Sequence, residues 1–321
     1  SLLARLRPRR RVEATASRAP PAEQAPALPD ALAMCQAELV QGKLAPIATE
    51  IQPITTHGDR VLDRSLADAG GKGLFIKELE KAILAGASDA AIHSMKDMET
   101  NFAPGTEIAA VLPREDRRDA LLGGYESLAD LPQGAVIGTS SVRRRALLLH
   151  HRPDLQIKLL RGNVIRRIGL LEAGDYDAII LAVAGLKRLG LDVAYSPLSS
   201  DEMPTAAAQG ALAVQIASPT NERARSVSAA FAEMNCPIAT AEVTAERAVL
   251  AHLDGSCHTP IAASAKYSDD GMISLDGMIL RPYGEAAHRR QIVGSADDAA
   301  NLGVELGASL LTDAGGRDFL A

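Results

Sequence analysis

Apolar positions along this chain switch between two periods. Over 74–86, Phe75, Leu79 and Ile83 recur four residues apart with charged residues between them, which predicts an amphipathic helix. The unbroken run Ala90-Ala91-Ile92-His93 follows, a buried strand that delivers Ser94-Met95-Lys96-Asp97 at its carboxyl end. The same alternation continues through most of the chain. Strands are expected at 47–56, 107–112, 136–139, 156–160, 176–182 and 211–217. Helices are expected at 31–40, from Val142 through Ala146 and Leu149, at 164–173 with Gly174 as the stop, and at 184–189. Alternating β and α elements argue for parallel sheets and an α/β fold. Beyond a helix at 242–253 the period becomes two. Stretches 261–267, 272–281 and 288–293 read as antiparallel strands with a hairpin turn at Asp269-Asp270-Gly271, and 296–311 closes the pattern as a helix.

Two stretches interrupt the alternation and read as crossings between domains: the charged connector 113–118 and the Pro- and Ser-rich 196–204. Residues 1–30 differ in kind, with six arginines, five prolines and seven alanines and little periodicity, and read as a disordered or aberrant leader.

Composition narrows the function classes. Hydrophobic residues make up 47%, aromatics only 3%, and there is no Trp, so the cores are expected to be aliphatic. No apolar run approaches the roughly 18 residues that span a membrane. Three cysteines without paired spacing, Cys35, Cys236 and Cys257, form neither a disulfide framework nor a zinc site, which points to a reducing cytoplasm.

Against a net charge of −6, the stretch 138–167 holds seven arginines and one lysine with a single acid, Asp154. Ser140 or Ser141 is a good N-cap, so Arg143, Arg144 and Arg145 fall in the first turn of a helix, where the helix dipole disfavours cations. Unless something negative sits there, the placement is an electrostatic fault. Arg161-Gly162-Asn163 repeats the pattern before a second helix, and Lys187-Arg188 follow a third strand. A solvated basic face would also explain a charge run. Nucleic-acid binding lacks the aromatic residues for base stacking. A small polyanion, a polycarboxylate or a phosphate, fits helix N-termini lined with guanidiniums better.

Other candidates are single residues. Asp97 beside Lys96 is a surface ion pair or a carboxylate that stabilises positive charge. Lys72, in Gly70-Gly71-Lys72-Gly73, is a turn lysine or an anion contact; the Ser/Thr that a P-loop requires after the lysine is absent. Cys257, flanked by Gly255, Ser256 and His258, is a packing residue or a reactive thiol.

Taken together, Gly70-Gly71-Lys72-Gly73-Leu74-Phe75, His93-Ser94-Met95-Lys96-Asp97, Gly138-Thr139-Ser140-Ser141-Val142-Arg143-Arg144, Leu160-Arg161-Gly162-Asn163-Val164, the run 181–190, Gln209-Gly210-Ala211 and Asp254-Gly255-Ser256-Cys257 resemble the porphobilinogen deaminase (hydroxymethylbilane synthase) family from about residue 31 to the end. The resemblance implies two domains like type II periplasmic binding proteins with a double crossover, 31–113 plus 211–232 and 114–205, and a C-terminal α+β domain, 237–321, that carries the cofactor. It implies a dipyrromethane held covalently by Cys257, onto which four porphobilinogens are deaminated and joined head to tail before hydroxymethylbilane is released. It implies Asp97 as the catalytic carboxylate. Lys96, Ser141, Arg143, Arg144 and Arg188 are implied at the cofactor, and Arg161, Arg167 and Lys72 at the substrate. A cytoplasmic monomer with no nucleic-acid or membrane partner is implied as well. The family's Thr-Arg-x-Ser block before Gln36 is missing, its arginine position falling on Leu28 and its serine on Asp30. That departure leaves one alternative, a non-catalytic polycarboxylate-binding relative with a degraded N-terminal strand.

Overall fold

The computed structural model describes residues 2–6, 30–54, 76–256 and 258–320. The chain opens with strand β1 (Leu2–Leu6), and after residues 7–29, which lie outside the described part, helix α1 (Ala31–Lys43) begins. Asp30 caps α1 by accepting from Leu32 N at 3.1 Å. Strand β2 (Thr49–Pro53), helix α2 (Lys77–Leu84), strand β3 (Ala90–Ser94) and strand β4 (Thr106–Val111) follow. The second unit runs β5 (Asp119–Leu122), β6 (Val136–Gly138), α3 (Val142–His151), β7 (Gln156–Lys158), α4 (Val164–Glu172), β8 (Ala178–Ala182), α5 (Val183–Arg188) and β9 (Ser196–Pro197). The chain then returns through β10 (Leu212–Ala217) and α6 (Glu222–Ala232). Last come α7 (Pro237–His252), β11 (Ile261–Tyr267), β12 (Met272–Leu280), β13 (Ala287–Ser295) and α8 (Ala299–Asp313).

These strands form three sheets: β2-β1-β3-β10-β4, β7-β6-β8-β5-β9 and β11-β12-β13. The fold class is α/β, with an antiparallel α+β unit at the C-terminal end. The expectation of parallel sheets needs correction. In the second sheet only β6 with β7 and β6 with β8 are parallel, the pairs linked through the crossover helices α3 and α4. Strands that arrive by a crossing enter in the opposite sense: β5 is antiparallel to β8 and β9, and β10 to β3 and β4. Residues 2–6 also depart from the leader assigned to 1–30. Their apolar run supplies β1, antiparallel to both β2 and β3, and bridges two strands that are not paired with each other.

The cores among the described residues are mostly aliphatic, as the composition implies, with Phe231 and Phe319 the buried phenylalanines. Beneath α3, Ile137, Leu147 and Leu148 are fully buried, each worth about 1.5–3 kcal/mol of burial, and the same cluster takes in Ala262, Met278 and Leu280 of the C-terminal sheet. That second contact is why α3 buries Leu147 and Leu148 more deeply than the Val142–Leu149 stripe read from spacing: it is covered from two sides. The other face of the C-terminal sheet carries α7 and α8. A Cβ on Gly303 would stand 2.3 Å from Ala245 O, so glycine there lets the two helices touch. The two crossings lie side by side, Glu115 N donating to Gly210 O at 3.1 Å. Gly210 has φ +87° and no room for a Cβ, which would meet Glu115 O at 2.5 Å.

Candidate active site

The carboxyl ends of β3 and β8, from two different sheets, and the first turn of the helix that follows β6 face a common open cleft. Lys96 reaches it from the turn after β3, Arg144 from the first turn of α3, Arg167 from α4 and Arg188 from the end of α5; Gln36 of α1 and Ser94 complete the near wall. Gln36 Nε2 donates to Ser94 Oγ at 2.9 Å. Local sequence sets these positions. Ser141 caps α3, its Oγ accepting from Arg144 N at 3.3 Å, and Asn163 caps α4 by accepting from Arg166 N at 2.9 Å.

The fault at the start of α3 has an answer inside the protein. Asp119, the first residue of β5 and 0% exposed, accepts from Arg143 Nη2 at 2.7 Å and from Arg144 Nη2 at 2.7 Å and Nε at 3.2 Å. Gln209 Nε2 adds a fourth bond at 2.8 Å. Burial opposes the charge on Asp119, but the two guanidiniums outweigh it and hold its pKa far below the usual carboxylate range. Arg143 also donates to Pro204 O at 2.6 Å and Arg144 to Ile180 O at 2.9 Å. One carboxylate serves two cations, and the remaining positive charge is not balanced within this cluster. Two buried guanidinium atoms at the site, Arg143 Nε and Arg161 Nε, have no partner. Burial pushes Arg167 down to about 10, with Arg144 and Arg161 adding repulsion, and lowers Arg188 as well. Lys96, 3.4 Å from Gln209 Oε1, is pushed to about 8, again by burial first.

A smaller, shallow recess adjoins the cleft and shares Lys96 with it. Asp97 stands on one wall with Met98, Glu99 and Thr100; Leu250, Gly255 and Ser256 form the other. The exposed Asp97 therefore shares a recess with the two residues that immediately precede Cys257 in the sequence. Cys257 and Lys72 themselves lie outside the described residues. Gly255 has no room for a side chain of its own. A Cβ on it would fall 2.5 Å from Ile261 Cδ1 and 2.6 Å from Leu250 Cδ1, so its missing side chain is used by packing.

Of the residues singled out from sequence, Lys96, Arg144, Arg167 and Arg188 thus meet in one cleft and Asp97 in the adjoining recess. Arg143 sits buried behind Arg144, Ser141 spends a lone pair on its helix cap, and Arg161 is a charged neighbour of Arg167. Sequence reading missed Asp119 and gave Gln209, though part of a quoted motif, no role at the site. The signal for Asp119 was an acid opening the apolar run Ala120-Leu121-Leu122, a position where a carboxylate needs a cation.

The cation-rich cleft can be set beside known proteins. Residues 29–225 match the family described as porphobilinogen deaminase, dipyromethane cofactor binding domain, and residues 240–312 match porphobilinogen deaminase, C-terminal domain. A porphobilinogen deaminase of Thiobacillus denitrificans is 45% identical over 287 residues, covering 88% of this chain and 92% of that protein. One from Chromobacterium violaceum is 44% identical over 296 residues, covering 90% and 94%. Among solved structures, an ancestral arginine-binding protein bound to glutamine aligns at 15% identity with a TM-score of 0.32, over 63% of this chain and 80% of its own.

Proposed function

This chain belongs to the porphobilinogen deaminase family, and on that premise we propose how its own residues carry out the family's transferase reaction, the head-to-tail joining of four porphobilinogens into hydroxymethylbilane. The observation that carries the reading is the charge imbalance in the cleft. Arg144, Arg167, Arg188 and Lys96 converge on a space whose nearest buried carboxylate, Asp119, is already bonded to both Arg143 and Arg144. Such a space fits a chain of pyrroles bearing acetate and propionate groups, and planar guanidiniums suit carboxylates in particular.

The same imbalance fits a dipyrromethane cofactor, which is itself a polycarboxylate; Cys257 would hold it and Arg143, Arg144, Arg188, Lys96 and Ser141 would bind it. Bound there, it supplies the nucleophilic pyrrole carbon on which the first substrate is added. The protein's part is positioning and electrostatics. Arg161, Arg167 and Lys72 bind the incoming substrate's carboxylates. Asp97, beside the loop before Cys257, stabilises the cation left when porphobilinogen loses ammonia and takes up the pyrrole proton that must leave. The three sheets act as three domains, with the cleft between the first two and the cofactor carried by the third. A monomer in the cytoplasm completes the proposal.

Intact mass tests it. The purified protein should carry an excess of two linked pyrrole units that Cys257→Ala lacks, and should turn over porphobilinogen. An unmodified mass that persists after incubation with porphobilinogen would overturn the reading.

A further inference from the structure

Arg247 does not touch the cation-rich cleft, yet it joins the two walls of the Asp97 recess. It projects from α7, and its guanidinium donates to Met98 O at 3.2 Å and to Glu99 O. The same group lies 5.2 Å from the centre of the Phe102 ring. All three partners follow Asp97 closely in the chain. An arginine spent on two consecutive carbonyls orients backbone, where one spent on a carboxylate would neutralise charge. Burial lowers its pKa to about 10, with Glu99 offsetting part of the effect, so it remains a cation at neutral pH.

The helix that carries Arg247 runs on to His252 and leads into Gly255 and Ser256, the opposite wall. Its own two glutamates fix its other side to neighbouring backbone: Glu246 accepts from Ala208 N at 2.6 Å and Ala265 N at 2.7 Å, and Glu242 from Tyr267 N at 3.1 Å. A stiff helix thus grips the Asp97 segment at one point and presents the residues before Cys257 a little further along.

We propose that Arg247 is a positioning residue that holds Asp97 in register with the loop leading into Cys257. The proposal rests on the functional reading above. Its consequence is specific: the spacing between the Asp97 segment and the Gly255-Ser256 wall is set by α7, through the C-terminal unit, and not by closure of the large cleft. Substrate carboxylates bind elsewhere, so loss of Arg247 should affect the chemical step and spare binding.

The test compares wild type, Arg247→Met and Arg247→Lys as full-length proteins. Arg247→Met keeps length and contact with Phe102. It is expected to retain the pyrrole mass excess and a KM within about twofold, with kcat lowered about 100-fold, the order expected for a misplaced reacting group. Arg247→Lys should recover about tenfold by restoring one charged donor. Amide exchange over 98–103 should accelerate in Arg247→Met while 238–252 stays protected. Unchanged kcat, or protection lost across α7 as a whole, would overturn the positioning role. Should wild type carry no pyrrole mass and no turnover, the functional reading fails by itself. The exchange measurement still decides about Arg247, and equal exchange over 98–103 would then reject the strut.

Discussion

Two buried arginine–carboxylate clusters lie within a few residues of each other, and they differ in one respect. At the first crossing, Arg114 and Arg117 face Glu242 and Glu246. Arg114 pairs with both oxygens of Glu246, at 2.7 and 2.8 Å, and reaches Glu242 at 3.3 Å, while Arg117 meets Glu242 at 2.6 Å. Two cations face two acids, and the acids' other lone pairs accept from backbone N–H groups. At the start of α3, Arg143 and Arg144 share Asp119 alone, with Arg167, Arg188 and Lys96 beyond. The pKa directions follow. Burial works against the cation in both places; the glutamates outweigh it for Arg114, whose pKa is raised, and Asp119 does not for Arg143, whose pKa is lowered. A balanced buried cluster is a joint between parts of the fold. An unbalanced one leaves positive charge facing the cleft, which is the charge the proposed polycarboxylate would meet.

That contrast predicts opposite responses to the same substitution. Arg114→Met strips Glu246 of its main cation inside the protein, and leaving a buried charge unpaired costs about 3–5 kcal/mol. Urea unfolding should show a large fall in midpoint. Arg144→Met removes a cation from a cluster with one too many, and Asp119 keeps Arg143 and Gln209. Its stability is expected to change by about 1 kcal/mol or less, of either sign. A midpoint fall as large as that of Arg114→Met would show that the two clusters are alike, and the comparison would fail.

The activity side of Arg144→Met should run the other way. Losing one charged fork to a carboxylate costs about 1.5–3 kcal/mol, so KM should rise about 10- to 100-fold with modest change in kcat. Arg144→Lys keeps the charge and loses the fork and should recover part of the loss. A normal KM in Arg144→Met would remove it from the binding wall.

How far this was legible in the sequence depends on the range of the interaction. The helix cap at Ser141, the hairpin at Gly271 and the strand 212–217 follow from neighbours a few residues away, and the arginine run announced a surplus of positive charge. Asp119 could not be placed from spacing, because it sits 24 and 25 residues before its partners. Strand direction failed for the same reason: the alternation fixes crossovers within a unit, whereas β5 and β10 take their sense from how the chain crosses between units. The crowding at Gly255 was not legible because the methyl groups that surround it, from Leu250 and Ile261, lie on either side of a loop whose closure no periodicity reveals.

The smallest expected effect concerns Lys96, which belongs to both cavities. Burial places its pKa at about 8, so its ammonium is present below that pH and lost as pH rises through it. If Lys96 helps to hold carboxylates in the unbalanced cluster, kcat/KM, which reports the free enzyme, should fall along an alkaline limb near pH 8. The expected loss across the limb is about tenfold, of the order of one charge-assisted hydrogen bond. Lys96→Arg should move the limb to higher pH, since a guanidinium stays charged throughout. Arg114, whose pKa its glutamates raise, should contribute no limb in this range. A limb that persists unmoved in Lys96→Arg would belong to another group, and Lys96 would then be a hydrogen-bond partner of Gln209 rather than a working cation of the cleft.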